Sequence, residues 1–200
     1  MPKVTEEHRQ VMRTRIQDAA LACFARKGFT GASMADIIKE ADLSAGAVYV
    51  YYSSKAELTL DAGRRIMDQR VGRLDDFVQR REVPPPRQVF SELLNSILDD
   101  NPFAPLVLQV WGEASHAPGF ATIAEKIFDD LLGYFEAYLQ EYFRRTVGLD
   151  EDRARERAHT ISPAILAMIQ GAIVQAAILG DESRTKVGDA IASLLAGVEG

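Results

Sequence analysis

The chain has 200 residues, of which 47% are hydrophobic and 26% are charged, and its formal net charge at pH 7 is −6. This composition excludes a disordered chain and argues against general, strongly basic nucleic-acid binding. The single Cys23 excludes an internal disulfide, and without a signal peptide or an unbroken apolar run of roughly 18 residues we expect a cytoplasmic protein that enters no membrane.

The charge is unevenly distributed along the chain. Residues 1–82 contain 14 Lys and Arg against 12 Asp and Glu, whereas residues 83–200 contain 9 against 17. A mildly basic first part can meet phosphates while an acidic second part keeps the chain soluble and repels DNA elsewhere. Charge alone leaves this interpretation and a chance asymmetry equally open.

The first predicted helix begins after Thr5, which serves as its N-cap, and ends at Gly28. Its apolar residues recur at helical spacing and predict a buried face: Ile16, Ala20, Cys23 and Phe24. Cys23 is therefore interpreted as a core thiol.

A helix-turn-helix is predicted next. The second helix begins at Ser33, where Ser33 and Asp36 have the spacing of a capping box. Asp42 can adopt the left-handed conformation that ends this helix, and Ser44 can cap the third. A short helix, a tight turn and another short helix form the plan that many DNA-binding proteins share.

The third predicted helix covers residues 44–51 and begins with the small residues Ser44, Ala45 and Gly46. In a helix-turn-helix this end of the second helix enters the major groove, where small side chains allow close approach to base edges. The hydroxyls of Tyr49 and Tyr51 can then donate to flanking phosphates, and Lys55 adds a positive charge.

Tyr52 is expected to pack inward, since it points away from Tyr51. The alternative interpretation of residues 49–52, YVYY, is an aromatic patch packed between helices. A full capping box over residues 54–57 predicts that a new helix begins there.

Three motifs in this part of the chain resemble those of the TetR family of transcriptional regulators. They run Phe24-Ala-Arg-Lys-Gly28-Phe29, Thr30-Gly-Ala-Ser33-Met-Ala-Asp-Ile37 and Gly46-Ala-Val-Tyr49-Val-Tyr51-Tyr52-Ser-Ser-Lys55-Ala-Glu-Leu58. Tyr52 stands where the family usually has Phe. The resemblance implies that phosphates are held by Thr30, Ser33, Tyr49, Tyr51 and Lys55, and that Ser44, Ala45 and Gly46 face the bases.

The resemblance also implies an all-α fold of about nine helices. We expect a DNA-binding domain over residues 1–54 and an effector-binding and dimerisation domain over 55–200, with a connector helix over 55–82 that ends before Pro84. Further helices are predicted over 87–100, 103–116, 120–146, 150–179 and 183–198, and no strand is expected.

The last two predicted helices each carry an apolar face at helical spacing. In the family such helices form a four-helix dimer interface, so we expect a homodimer. The alternative is that these faces pack only within one subunit. The candidate interface residues are Ile165, Ile169, Ile173, Ile191, Leu194 and Leu195.

Aromatic residues are frequent in the middle of the chain and can line an apolar pocket for a small hydrophobic effector. Packing in the core is the alternative for each of them. The candidate ligand-binding residues are Phe90, Phe103, Trp111, Phe128, Tyr134, Phe135, Tyr138 and Met168.

The sequence carries no motif of a nucleotide-binding loop, a nucleophile elbow or a metal cluster, so we expect neither an enzyme nor a cofactor or metal. The predicted function is a dimeric regulator that binds palindromic double-stranded DNA as a repressor and is released by an effector. A regulator without an effector, and an activator or co-repressed regulator, remain alternatives.

Overall fold

A computed structural model describes residues 5–99, Leu108, Gly112 and 118–199. Every regular element in these ranges is helical, which confirms the predicted all-α fold class with its N-terminal helix-turn-helix. The helices are α1 Glu6–Gly31, α2 Met34–Glu40, α3 Ala45–Tyr49, α4 Lys55–Val71, α5 Arg73–Gln79, α6 Pro86–Leu98, α7 Pro118–Tyr142, α8 Glu151–Leu179 and α9 Asp181–Ala196. A π-helical turn, Phe143–Val147, follows α7. Of the helix predicted over 103–116, only Leu108 and Gly112 are among the described residues.

The chain divides into two compact units, residues 1–66 with 106–124 and residues 67–105 with 125–200. The predicted domain boundary at residues 54 and 55 lies at the start of α4, whereas this division by packing falls inside α4.

The first unit is built around α1. Thr5 caps α1 by accepting a hydrogen bond from the His8 N–H at 3.3 Å. Gly28 has φ 73° and ψ 163°, a conformation open essentially to glycine alone, so α1 is interrupted where its end is predicted. The core joins α1 to the three helices after it: Ile16, Ala20, Cys23, Phe24, Phe29, Ile37, Val48, Tyr52 and Leu58 are all at most 2% exposed. Burial raises the pKa of the Cys23 thiol, as expected for a core residue.

The predicted connector over 55–82 is corrected to two helices, because the helical path breaks at Gly72. A side chain at Gly72 would place its Cβ 2.4 Å from the carbonyl oxygen of Asp68, so only glycine fits the tightened turn. The second piece, α5, ends at Gln79 and is followed by the proline-rich segment over residues 84–86.

Arg145 fixes the end of α5 within the second unit. Its guanidinium donates to the backbone carbonyl oxygens of Val78 at 2.7 Å, Arg80 at 2.7 Å and Arg81 at 2.8 Å. These carbonyls lie at and beyond the end of a helix, where the helix itself offers no donors. One side chain of the π-helical turn therefore replaces the missing backbone partners.

The core of the second unit lies between α6, α7, α8 and α9. The ring of Phe90 on α6 makes edge-on contacts with Phe135 and Tyr138 on α7, with centroids 4.9 and 5.6 Å apart. The Tyr138 hydroxyl donates to the Pro84 carbonyl oxygen at 2.6 Å. This bond ties α7 to the segment that leads into α6.

Among the described residues one helix, α8, is long and apolar enough to cross a membrane by composition. Its most apolar 18-residue window has a mean hydropathy of 1.8, and about a third of that window is buried. The core helix of a soluble protein meets the same criterion, so α8 alone carries no argument for a membrane.

Candidate nucleic-acid interface

The helix-turn-helix is held by short-range polar contacts that the sequence predicts. Ser33 accepts from the Asp36 N–H at 3.2 Å, and the Asp36 carboxylate accepts from the Ser33 N–H at 3.0 Å, which is a complete capping box. Hydrogen bonds from Lys27 and then from Ser33 hold the pKa of Asp36 well below its usual range. Asp42 has φ 52° and ends α2, as predicted.

The recognition helix α3 presents small and apolar side chains to solvent. Ser44 caps it by accepting from the Ala47 N–H at 3.2 Å. Ala45 and Gly46 are exposed, and no atom lies within 4 Å of a Cβ built at Gly46. Val48 points the other way and is fully buried, so it anchors α3 to the core. The three residues predicted to face the bases therefore lie at the exposed N-terminal end of α3.

Tyr49 and Val50 extend this exposed face, with 51% and 79% of their surfaces accessible. The phenol of Tyr49 is thus available to a phosphate. Val50 was not predicted as a site residue, although its exposure next to Tyr49 makes it a candidate for contact with a thymine methyl group in the major groove. Tyr51 is half-buried against the core, and Tyr52 is buried as predicted.

Lys55 is placed differently from a simple surface charge. Its ammonium donates to the carbonyl oxygens of Phe29 at 2.9 Å and Ala32 at 3.0 Å and lies 4.4 Å from the centre of the Phe29 ring. Phe29 directly precedes Thr30 in the chain, and Ala32 directly precedes Ser33; both Thr30 and Ser33 are predicted phosphate-binding residues. Lys55 therefore holds the turn between α1 and α2, and one of its three donors is left for a phosphate.

A polar cluster behind α3 was also missed by sequence reasoning. Asp61 of α4 accepts hydrogen bonds from Tyr52, from Gln17 and from Arg13 of α1. Burial, followed by the hydrogen bond to Asp61, raises the pKa of the Tyr52 phenol, so the phenol keeps its proton. Gln17 at a fully buried position of α1 was the available signal, because a buried amide needs polar partners.

The candidate effector residues fall into three groups. Phe90, Phe135 and Tyr138 are at most 1% exposed and pack against one another. Phe128, Tyr134 and Met168 are half-buried. Phe103 and Trp111 lie outside the described residues.

The structure does contain a small cleft in the second unit, between α5 and α6. It is lined by Arg73, Leu74, Phe77, Val89, Glu92, Leu93 and Ser96, and only Phe77 among these is aromatic. Tyr134 instead donates its hydroxyl to the Asp68 carboxylate at 3.1 Å, and this bond raises the pKa of the phenol.

The candidate interface residues differ in how much of their surface is exposed within one subunit. Ile165, Ile169, Ile173, Ile191 and Leu195 are between 0% and 5% exposed within a single subunit. Leu194 is 63% exposed. Helical spacing marked the apolar residues of α8 and α9, but it did not distinguish the face that meets α6 from the face that meets solvent.

Among the residues that the structure describes, no group of three or more His, Cys, Asp or Glu side chains is placed to hold a metal ion. The site consists instead of a capped recognition helix with an exposed face of small, apolar and phenolic groups. This fold and site define a helix-turn-helix DNA-binding transcriptional regulator.

Comparisons with known proteins agree with this class. Residues 16–68 match the family model of bacterial regulatory proteins of the tetR family. The uncharacterized HTH-type transcriptional regulator YfiR of Bacillus subtilis (strain 168) is 28% identical over 190 residues, which cover 93% of this chain and 89% of that protein.

Two solved structures share the fold. Salmonella enterica GusR is 21% identical with a TM-score of 0.71, and the match covers 98% of both chains. FadR from Bacillus subtilis, solved in complex with stearoyl-CoA, is 17% identical with a TM-score of 0.69, and the match covers 91% of this chain and 96% of that one. The match to the tetR family model covers the helix-turn-helix part of the chain, and the similarity to YfiR extends over nearly its whole length, which agrees with a DNA-binding transcriptional regulator.

Proposed function

We propose that this protein is a homodimeric repressor that binds a palindromic operator and leaves it when a small hydrophobic effector binds. The observation that carries the proposal is the exposed face of α3, where Ala45, Gly46 and Val50 accompany the accessible phenol of Tyr49. Small and apolar groups on a capped helix suit close approach to base edges, and phenols suit phosphates. The protein would act in the cytoplasm, where its DNA is.

A second subunit is supported by the exposed apolar residues at the ends of the last two helices. Ile178 and Leu179 of α8 are 70% and 63% exposed, and Leu194 of α9 is 63% exposed. Exposed apolar side chains gathered on the two terminal helices suit burial against a second copy. A two-fold dimer would place two recognition helices on half-sites about 34–36 Å apart, or a multiple of that distance.

Release by a hydrophobic effector is supported by the apolar core of the second unit and by the stearoyl-CoA in the FadR structure with the same fold. The effector would bind the two states of the dimer unequally and move α4, which leads from the first unit into the second. A DNA-binding regulator without a small-molecule effector is the second candidate. It is favoured by the tight packing of Phe90, Phe135 and Tyr138, which fill the centre of the second unit with one another.

The DNA-binding half is tested by fluorescence anisotropy on the promoter fragment upstream of the chain's own coding region, against a scrambled fragment across a salt series. We expect much tighter binding of the native fragment. Tyr49→Phe should weaken it by about 0.5–1.5 kcal/mol, the net value of one hydrogen bond. Tyr142→Phe, which removes a hydroxyl bonded to the Glu199 carbonyl in the second unit, is the matched control and should leave binding unchanged.

Release by an effector is tested by measuring the midpoint of thermal unfolding in the presence of stearoyl-CoA and of free fatty acids of graded length. A compound that binds only the folded protein raises the midpoint, and an effector must also lower the affinity for the promoter fragment. If no member of the series does both, the acyl effector class is excluded. If the native and scrambled fragments bind alike, the regulator proposal fails.

A further inference from the structure

A partly buried polar cluster joins three elements of the first unit behind the recognition helix, and its Arg13 and Asp61 side chains are 44% and 34% exposed. The Tyr52 hydroxyl, just after α3, donates to Oδ2 of Asp61 on α4 at 2.5 Å. The Gln17 amide of α1 donates both to the Tyr52 oxygen at 3.1 Å and to Asp61 Oδ2 at 2.8 Å. Arg13 of α1 donates to the same carboxylate oxygen at 3.2 Å.

The chemistry of the cluster leaves the Tyr52 hydroxyl little freedom. It accepts from Gln17 and donates to Asp61, so both of its usual roles are filled. Tyr52 and Gln17 are 1% and 3% exposed, so water has little access to the hydroxyl or to the amide that donates to it. Asp61 Oδ2 in turn receives three donors, one of them a guanidinium, and hydrogen bonds to a charged group are stronger than neutral ones.

A second contact fixes α4 on α1 one helical turn further along. Arg65 donates to the carboxylate of Asp18 in an ion pair. Asp61 and Arg65 are four residues apart, so they lie on the same face of α4, and both meet α1. In the first unit α4 is thus held against α1 by polar contacts at two successive turns.

The backbone of Tyr52, just after α3, is also hydrogen-bonded to that helix. Its backbone N–H donates to the Val48 carbonyl oxygen at 3.1 Å, which continues the turn of the recognition helix. A shift of Asp61 therefore acts on α3 through one side chain whose backbone belongs to the same hydrogen-bonded turn.

We propose that Tyr52 and Asp61 are positioning residues for DNA recognition, because their hydrogen bond makes the recognition helix α3 follow the helix α4. The inference rests on the proposed function, in which α4 carries the effector signal. It identifies the bond through which displacement of α4 reaches the surface that reads DNA.

The aromatic ring of Tyr52 and its hydroxyl have separate tasks. The ring fills the core of the first unit, as the phenylalanine usual at this position in the family would. The hydroxyl adds the bond to Asp61 without adding to the apolar core. Tyr52→Phe therefore removes the bond and keeps the packing.

The test uses an operator selected by the wild-type chain from a randomised duplex pool, and a second duplex with one base pair inserted at its centre. The insertion moves the half-sites about 3.4 Å further apart and rotates one of them by about 35°. The ratio of the two affinities measures how firmly the recognition helices are held. Thermal midpoints and circular dichroism establish that each variant is folded.

We expect Tyr52→Phe to lower affinity for the selected operator on the order of two- to tenfold, which corresponds to one net hydrogen bond. Affinity for the inserted duplex should fall less, so the ratio shrinks, because α3 is no longer held in one orientation on α4. Asp61→Asn, which removes the charge and keeps the shape, should change the ratio in the same direction.

Two controls separate this role from direct contact and from general destabilisation. Tyr49→Phe should weaken binding to both duplexes alike, because it removes only a phosphate contact. Tyr142→Phe removes the hydroxyl of a buried tyrosine in the second unit and should change neither affinity.

The inference is overturned if folded Tyr52→Phe and Asp61→Asn keep the wild-type ratio, whether or not their affinities fall. A wild-type chain that selects no sequence from the pool would overturn the regulator proposal itself, and this inference with it.

Discussion

Lys55 offers the sharpest prediction, because the structure gives it contacts inside the protein in addition to the phosphate contact that the TetR resemblance implies. Its ammonium binds the carbonyl oxygens of Phe29 and Ala32, and both of these residues are 2% exposed. Replacing Lys55 by methionine keeps the length of the side chain and removes the charge. Two buried carbonyls then lose the hydrogen bonds that Lys55 donates.

The magnitude follows from those contacts. A hydrogen bond to a charged group contributes roughly 1.5–3 kcal/mol, and a solvent-accessible cation over an aromatic ring about 0.5–1 kcal/mol. Lys55 is only half-buried and part of this is screened by solvent, so we expect Lys55→Met to destabilise the chain by about 2–3 kcal/mol. For a chain of this size that corresponds to a fall of roughly 5–10 °C in the thermal midpoint.

The assay is thermal and urea unfolding followed by circular dichroism, together with promoter binding across a salt series. Lys126→Met, at an exposed position of α7, is the matched control and should change neither midpoint. If the remaining donor of Lys55 meets a phosphate, the salt slope of Lys55→Met falls by about one. An unchanged midpoint would refute the structural role, and an unchanged slope would refute the phosphate contact.

Three further predictions concern stability and assembly. Gly72→Ala should destabilise the chain by about 1–3 kcal/mol in urea unfolding, because the new Cβ would meet the Asp68 carbonyl oxygen. The control Gly133→Ala, in open space on α7, should be neutral or stabilising by up to about 1 kcal/mol. Equal effects of the two substitutions would contradict the tight turn at Gly72. Leu194→Glu should convert the proposed dimer to a folded monomer in analytical ultracentrifugation, and a persistent dimer would move the interface away from this part of α9. Asp36→Asn should lower the thermal midpoint at pH 7 and do so less at pH 3. The pKa of Asp36 lies below its ordinary value of 3.8, so its stabilisation is complete above that pH and is lost as the pH falls below it. An equal effect at both pH values would show that the carboxylate charge is not involved.

The helix-turn-helix could be predicted because its signals are local. Ser33 and Asp36 complete a capping box, Ser44 caps α3, and Asp42 and Gly28 adopt the backbone conformations expected where helices end. Each of these features depends on residues within about four positions of one another. The order of such signals was therefore enough to place the recognition helix.

The contacts that hold this module in place could not be predicted in the same way. Lys55 meets carbonyls 23 and 26 residues away, and Asp61 meets a glutamine 44 residues away. The type of residue gives no information about such partners. The break at Gly72 could not be predicted either, because a single glycine inside a helical pattern is compatible both with a continuous helix and with a break.

The contacts of Arg145 have a consequence for which substitutions the chain can accept. Its guanidinium lies 4.0 Å from the Glu141 carboxylate and donates to the backbone oxygens of Val78, Arg80 and Arg81. Every amino acid supplies such a backbone oxygen. Substitutions at Val78, Arg80 or Arg81 leave the backbone acceptor oxygens in place. Substitution of Arg145 removes all three hydrogen bonds together. In a saturation mutagenesis scan, tolerance should therefore be strongly one-sided, with wide variation at the end of α5 and almost none at Arg145.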